Sequence, residues 1–368
     1  MSSSAQTENM ADLANTVSLT NVTNTAGLRM RVGIVGLGLI GGSLARRLAA
    51  RGHEVIAWNH RPHPYAQAER DGIRCVAALA QLAEAAPDAI VLCNPLKAMP
   101  SVLDELKPLL DAHPETTLTD VGSVKGMVRD QVVAAGLGKR YVGAHPMAGN
   151  ELSGWSAADP ALYDGALWAL TVDQATEYQR FLAVARLITE GVGNRIIVLD
   201  DTTHDRAAAL ISHMPHVVAT ALINELTGNP DRNIAAALAA GSWRDMTRVA
   251  LTDPERTRAM VEEDAANVEE LLRHMAARLT AMADDLHTGF VTGDDDASSK
   301  QAVRGFFAEG QPFRDYKAAR ASGVAGPSGT LDIPVDGWQQ ALLDSARRGE
   351  QILRLTGERS AQTTCVAL

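Results

Sequence analysis

Two side chains in this sequence have the types and spacing to do redox chemistry on a hydroxylated substrate: Ser123 and His145. A histidine titrates near neutral pH, so His145 can take a proton from a substrate hydroxyl as a hydride leaves the same carbon. A serine hydroxyl can orient both partners. Each residue also has a plainer reading. His145 stands before Pro146 in what reads as a loop, and Ser123 can cap the helix that follows it. His213 and His216, three residues apart around Pro215, resemble half of a metal site, but no carboxylate or cysteine pattern completes it, so no metal is expected.

The elements that would position these groups begin with Met30 to Ala45, MRVGIVGLGLIGGSLA. A short apolar run ends at Gly36-x-Gly38-x-x-Gly41 and passes directly into a helical pattern that includes Leu39 and Ile40. Strand, glycine turn and helix in that order predict a dinucleotide site, with pyrophosphate on the helix N-terminus. A second strand, His53 to Trp58, ends at Asn59-His60-Arg61. An acidic residue there would select the ribose hydroxyl of NAD. None is present, and Asn59 and Arg61 favour the 2′-phosphate of NADP, with NAD possible.

Alternation continues through Asp88–Cys93, Thr116–Val121 and Tyr141–Ala144 as strands, with helices between them. Apolar strands alternating with helices specify an α/β fold with a doubly wound parallel sheet. Ligands of such sheets lie beyond the carboxyl ends of the strands, which selects Asn94-Pro95, Gly122-Ser123 and His145-Pro146. Leu167–Val172 and Asn194–Leu199 read as further strands of this domain, which is expected to span residues 30–200. Long helices then follow, Thr203–Leu226 and Pro254–Leu286 among them. In the last, Val268, Leu271, Leu272, Met275, Leu279, Met282 and Leu286 form an apolar stripe that requires a partner helix. Residues 201–290 are therefore expected to form an all-helical dimerisation domain, making the protein a homodimer. Residues 1–29, rich in Ser, Thr, Asn and Ala, read as a disordered tail, and 291–368 as an extension of loops with one helix, Val335 to Leu355.

Composition narrows the class. The formal net charge is −10, and no cluster of Lys and Arg offers a phosphate-binding face, which argues against nucleic acid as a partner. Three cysteines without redox or metal spacing fit a reducing compartment. No uninterrupted apolar segment approaches the roughly 20 residues of a membrane span, and a cytoplasmic protein is expected.

Read together, GLGLIGGSLA, DVGSVK, GAHPMAGNELSG, HDRAAALISHMPH and WRDMTRVA, spread over about residues 30 to 290, resemble the prephenate/arogenate dehydrogenases of tyrosine biosynthesis. The resemblance implies oxidative decarboxylation of a cyclohexadienol with hydride transfer to NAD(P)+. It implies that His145 is the catalytic acceptor, Ser123 its hydroxyl partner near the nicotinamide, Arg248 the carboxylate ligand and His213 a second histidine near the substrate. A planar guanidinium suits bidentate carboxylate binding, although Arg248 can also pair with Asp245 three residues earlier. Asn150 stands where the family usually carries Thr or Ser. The β-hydroxyacid dehydrogenases share the cofactor pattern but require a lysine on the inter-domain helix, and none lies between Thr203 and Asn233. A third possibility is an NADP-binding sensor without catalysis.

Overall fold

A computed structural model describes residues 29–292, 296–321 and 326–365. The expectation of a disordered tail falls almost entirely outside the described residues.

The chain runs β1 (Arg31–Val35), α1 (Leu39–Ala50), β2 (Glu54–Trp58), α2 (Tyr65–Arg70), β3 (Arg74–Cys75), α3 (Leu79–Glu84), β4 (Ala89–Leu92), α4 (Met99–Asp111), β5 (Thr117–Asp120), α5 (Gly126–Ala134), β6 (Gly143–Pro146), β7 (Leu167–Thr171), α6 (Tyr178–Arg186) and β8 (Arg195–Leu199). Helices α7 (Asp201–Ala208), α8 (Met214–Gly228), α9 (Arg232–Leu238), α10 (Gly241–Thr247), α11 (Pro254–Glu263), α12 (Ala265–Leu286), α13 (Ala297–Ala308) and α14 (Gln311–Ala321) come next. The chain closes with β9 (Ser328–Asp332), α15 (Trp338–Arg347), β10 (Glu350–Leu355) and β11 (Ser360–Cys365).

Five parallel strands in the order β3-β2-β1-β4-β5 form the Rossmann-like sheet. Its strands are buried on both faces, as continuous apolar runs require. Val32 and Ile34 pack into one core with α1 and α6, while Val35, Ile56 and Leu92 pack into the other with α3, α4 and α5.

The second half departs from the expected single parallel sheet. Strands β6 to β8 belong to a six-stranded mixed sheet, β6-β7-β8-β10-β11-β9. β6 runs antiparallel to β7 and touches the first sheet through one parallel bridge, Leu118 to Tyr141. His145 therefore lies within a strand, paired with Ala169, and does not follow a parallel strand. The reading of 291–368 as loops with one helix is also corrected. Among the described residues, three helices and three strands occupy it, the helix placed at Val335–Leu355 shortens to Trp338–Arg347, and β10 pairs with β8 at Ile352 and Ile196. Trp338 seals the junction, buried against Tyr178 and Phe181 with ring centroids 5.0 and 5.3 Å away.

Where the two sheets meet, a charged pair is wholly buried. Lys125 Nζ donates to Asp120 Oδ2 and, at 2.8 Å, to the Ala144 carbonyl. Asp120 accepts in addition from the Gly122 amide, the Tyr141 hydroxyl and the Ala144 amide. Desolvating two ions is costly, and such a pair persists only when its remaining hydrogen-bonding capacity is filled, as here.

Helices α7 and α8 are one rod, Asp201 to Gly228, joined by a wide π turn at Ala209–His213 immediately before Pro215. Its length and hydropathy would suffice to cross a bilayer, but His204, Asp205 and His213 along it are buried and hydrogen-bonded to other residues. The rod is the spine between sheet and helices. The single helix expected over Pro254–Leu286 breaks at Asp264, whose backbone leaves the helical region at φ −124°.

Two stability changes follow. Replacing Lys125 by Met strands the Asp120 carboxylate and costs about 3–5 kcal/mol. Trp338→Ala costs a similar amount, about 3–5 kcal/mol, through the cavity it leaves. Urea unfolding of each purified variant measures both, and a loss below about 1 kcal/mol for either would contradict the packing described.

Candidate active site

The glycine turn carries three distinct demands. Gly36 sits at φ +109°, and a Cβ there would meet the Cys93 carbonyl at 2.9 Å. Gly41 lets α1 press on the strand layer, since its Cβ would lie 2.0 Å from the Gly36 carbonyl. Gly38 is different in kind: nothing lies within 4 Å of a Cβ built on it. It is the helix N-cap residue with no side chain satisfying the first amides, so open space and free donors face one another. That is the geometry a pyrophosphate fills.

Asn59 does not present its carboxamide outward as the sequence suggested. Its Oδ1 accepts from the Leu37 amide at 2.7 Å and its Nδ2 donates to the Arg61 carbonyl. The side chain holds the glycine turn to the end of β2. His60 and Arg61 remain exposed beside it. At the end of β4, Asn94 donates to the Pro95 carbonyl, and its buried Oδ1 has no partner among the described residues. An unmatched acceptor at this edge fits a ribose hydroxyl. The residues present thus fit a nicotinamide dinucleotide.

His145 is half-buried on β6, and its Nδ1 lies 3.0 Å from His204 Nε2. His204 Nδ1 lies 2.8 Å from Asp205 Oδ1. Asp205 also accepts the amides of Lys125 at 2.7 Å and Gly126 at 2.9 Å, anchoring the start of α5. Burial pushes the His145 imidazolium well below the usual histidine range, and nearby His204, Lys125 and His213 push it further. His145 is therefore neutral at physiological pH and able to accept a proton. Burial alone would raise the Asp205 carboxyl, but the hydrogen bonds from His204 and the two amides bring it below its ordinary value.

Ser123 is half-buried in the turn between Asp120 and α5 and makes no hydrogen bond to His145. It does not cap α5 either, because Asp205 fills that role. His213 is fully buried; its Nδ1 lies 2.8 Å from Asp264 Oδ2, and its Nε2 has no partner among the described residues. Arg248 is exposed on a short turn, Arg248–Leu251, and Asp245 pairs with Arg244 instead. Asn150 turns its Oδ1 onto the Leu152 amide. Arg256 of α11 donates to the carbonyls of Asn150 and Leu152 and so ties the loop after His145 to the helical region.

Sequence reasoning missed His204, Asp205, Asp264, Arg256 and the Asp120–Lys125 pair. The adjacent His-Asp at the head of HDRAAALISHMPH was the available signal for the first two. Nothing local marks the others.

Comparison with known proteins bears on this arrangement. Residues 44–198 match the family model described as prephenate dehydrogenase, nucleotide-binding domain, and residues 200–296 match the prephenate dehydrogenase, dimerization domain. The cyclohexadienyl dehydrogenase of Zymomonas mobilis is 31% identical over 253 residues, covering 67% of this chain and 85% of that one. The prephenate dehydrogenase of Bacillus subtilis is 31% identical over 230 residues, 60% of each chain. Among solved structures, prephenate dehydrogenase from A. aeolicus in complex with hydroxyphenyl propionate and NAD+ superposes with a TM-score of 0.68 at 28% identity, covering 79% of this chain and 99% of that one. Synechocystis arogenate dehydrogenase gives 0.65 at 29%, covering 78% and 99%. A nucleotide-binding sheet domain, a helical dimerisation domain and the matching motifs in order place this chain in the prephenate dehydrogenase family.

Proposed function

We propose that this protein catalyses the oxidative decarboxylation of prephenate, arogenate or both, giving 4-hydroxyphenylpyruvate or tyrosine. The observation that carries the reading is His145: a neutral, half-buried imidazole with one ring nitrogen engaged by His204 and the other making no hydrogen bond to the described residues. The ring hydroxyl of the substrate donates to that free nitrogen, Nε2. When bound, NAD(P)+ supplies the hydride acceptor. His145 withdraws the hydroxyl proton as the ring carboxylate leaves as CO2, and aromatisation drives the reaction forward. Ser123 lies three residues beyond the end of β5, and its unengaged hydroxyl can orient substrate and nicotinamide. Arg248 is free to bind a substrate carboxylate, and the unpartnered Nε2 of buried His213 offers a second polar contact. Asn150 and Arg256 fix the loop that follows His145. Relatives bearing both the prephenate and the arogenate names support either substrate.

The exposed Arg61 and the lack of an acidic residue after β2 favour NADP over NAD. The apolar stripe on α12 supports a homodimer: Val268 is buried in the single chain, whereas Leu279 and Leu286 are 56% and 41% exposed.

His145→Asn is expected to lower kcat about 10²- to 10⁴-fold, read as NAD(P)H formation with each substrate; survival at the wild-type rate would refute the mechanism. Because its protonated form is disfavoured, His145 stays a competent base below pH 6.5, and activity is lost only as falling pH protonates it. The acid limb of kcat/KM should therefore lie below pH 6.5. Arg61→Ala should raise KM for NADP by about tenfold, the loss of one charge-assisted hydrogen bond, and leave KM for NAD within about twofold.

A further inference from the structure

We propose that His204 and Asp205 form a relay that fixes which nitrogen of His145 faces the substrate, making His204 a positioning residue for the reaction. This rests on the role given to His145 above.

The argument follows from hydrogen-bond polarity. The Asp205 carboxylate is ionised and already accepts two backbone amides, from Lys125 and Gly126. It has no proton to give, so the 2.8 Å contact with His204 requires Nδ1–H of His204 to donate. With that single proton on Nδ1, the His204 ring carries a lone pair on Nε2. The 3.0 Å contact with His145 then requires Nδ1–H of His145 to donate. Only Nε2 of His145 is left with a lone pair, the nitrogen that has no protein partner. A free imidazole prefers the opposite tautomer, with the proton on Nε2, in which that nitrogen would offer a donor to the substrate hydroxyl. The relay thus converts a weak intrinsic preference for the wrong tautomer into the right one.

The same path receives charge. When Nε2 of His145 takes the substrate proton, the imidazolium donates through Nδ1–H to His204, and His204 donates to Asp205, so the new positive charge is coupled to a fixed carboxylate. The other charged or titratable groups around the pair are Lys125 and Asp120 beneath β6, Tyr141 at its start, and His213 and Asp201 on the rod. Lys125 is committed to Asp120 and the Ala144 carbonyl, and Asp201 lies toward Arg129. Among the described residues, none of these shares a hydrogen bond with either imidazole. Burial makes the order firm, since His204 is 2% exposed and water cannot substitute for it.

The test uses the full chain, His204→Phe, which keeps ring volume without the nitrogens, and His204→Gln, whose amide oxygen can accept from His145. Initial rates against pH with prephenate and arogenate are paired with 15N NMR of histidine-labelled protein, the His145 signals being identified by their loss in His145→Asn. The relay predicts a protonated Nδ1 and a bare Nε2 on His145 in the wild type. It predicts an Nε2–H signature in His204→Phe, with kcat lowered about 10- to 100-fold and KM within about threefold, and recovery of at least about fivefold in His204→Gln. A wild-type His145 protonated at Nε2, or a His204→Phe enzyme within twofold of wild-type kcat, overturns it. The tautomer is read without turnover, so should the phenylalanine variant fail to fold, the wild-type spectrum still decides. A bare Nε2 in a protein inactive on both substrates would uphold the relay and refute the proposed function instead.

Discussion

The buried pair of Lys125 and Asp120 is the constraint on which the site depends. It sits where the parallel sheet ends and the mixed sheet begins, and its hydrogen bonds reach both: the Gly122 amide after β5, and the amide and carbonyl of Ala144 on β6. Breaking either partner would free the turn carrying Ser123 and the strand carrying His145 together. An apolar pair of equal volume could fill the space, but it would not set the spacing of these two segments. In this protein the ionic solution acts through specificity of arrangement.

Asp205 extends the constraint to the helical region. One carboxylate closes the first turn of α5 and orients His204, so the start of the helical spine is pinned to the sheet domain beside His145. Farther along the helical region, Arg256 grips the Asn150–Leu152 backbone and Asp264 grips His213. The break between α11 and α12 exists at Asp264, whose carboxylate also accepts from Asn267.

How much was legible in the sequence depended on range. The glycine turn and the Rossmann-like strands were readable because strand, turn and helix are contiguous and each glycine answers a local steric demand. The candidates Ser123, His145, Arg248 and His213 stood out by chemical type and motif. Their partners did not. His204 meets His145 across 59 residues and Asp264 meets His213 across 51, and neither pairing leaves a periodic trace. Asn59 was read as a ligand because position alone was visible, whereas its carboxamide is spent on Leu37. The strands of the extension escaped notice because SGTLD and SAQTTC are short, polar and without the apolar alternation that announces a strand; SAQTTC is held by pairing to β10, and SGTLD by pairing to SAQTTC.

The π turn at Ala209–His213 has an evolutionary consequence. An ordinary α-helix advances about 100° per residue, so His204 and His213, nine positions apart, would face opposite sides of a straight rod. The wider turn lags in rotation and brings the second histidine round toward Asp264. It is a phase joint, and gaining or losing a single residue there would rotate the whole of α8, and whatever it presents to substrate, while leaving the His204–Asp205 end untouched. Side chains on α8 can in this way be re-aimed without disturbing the hydrogen bonds that join His145, His204 and Asp205.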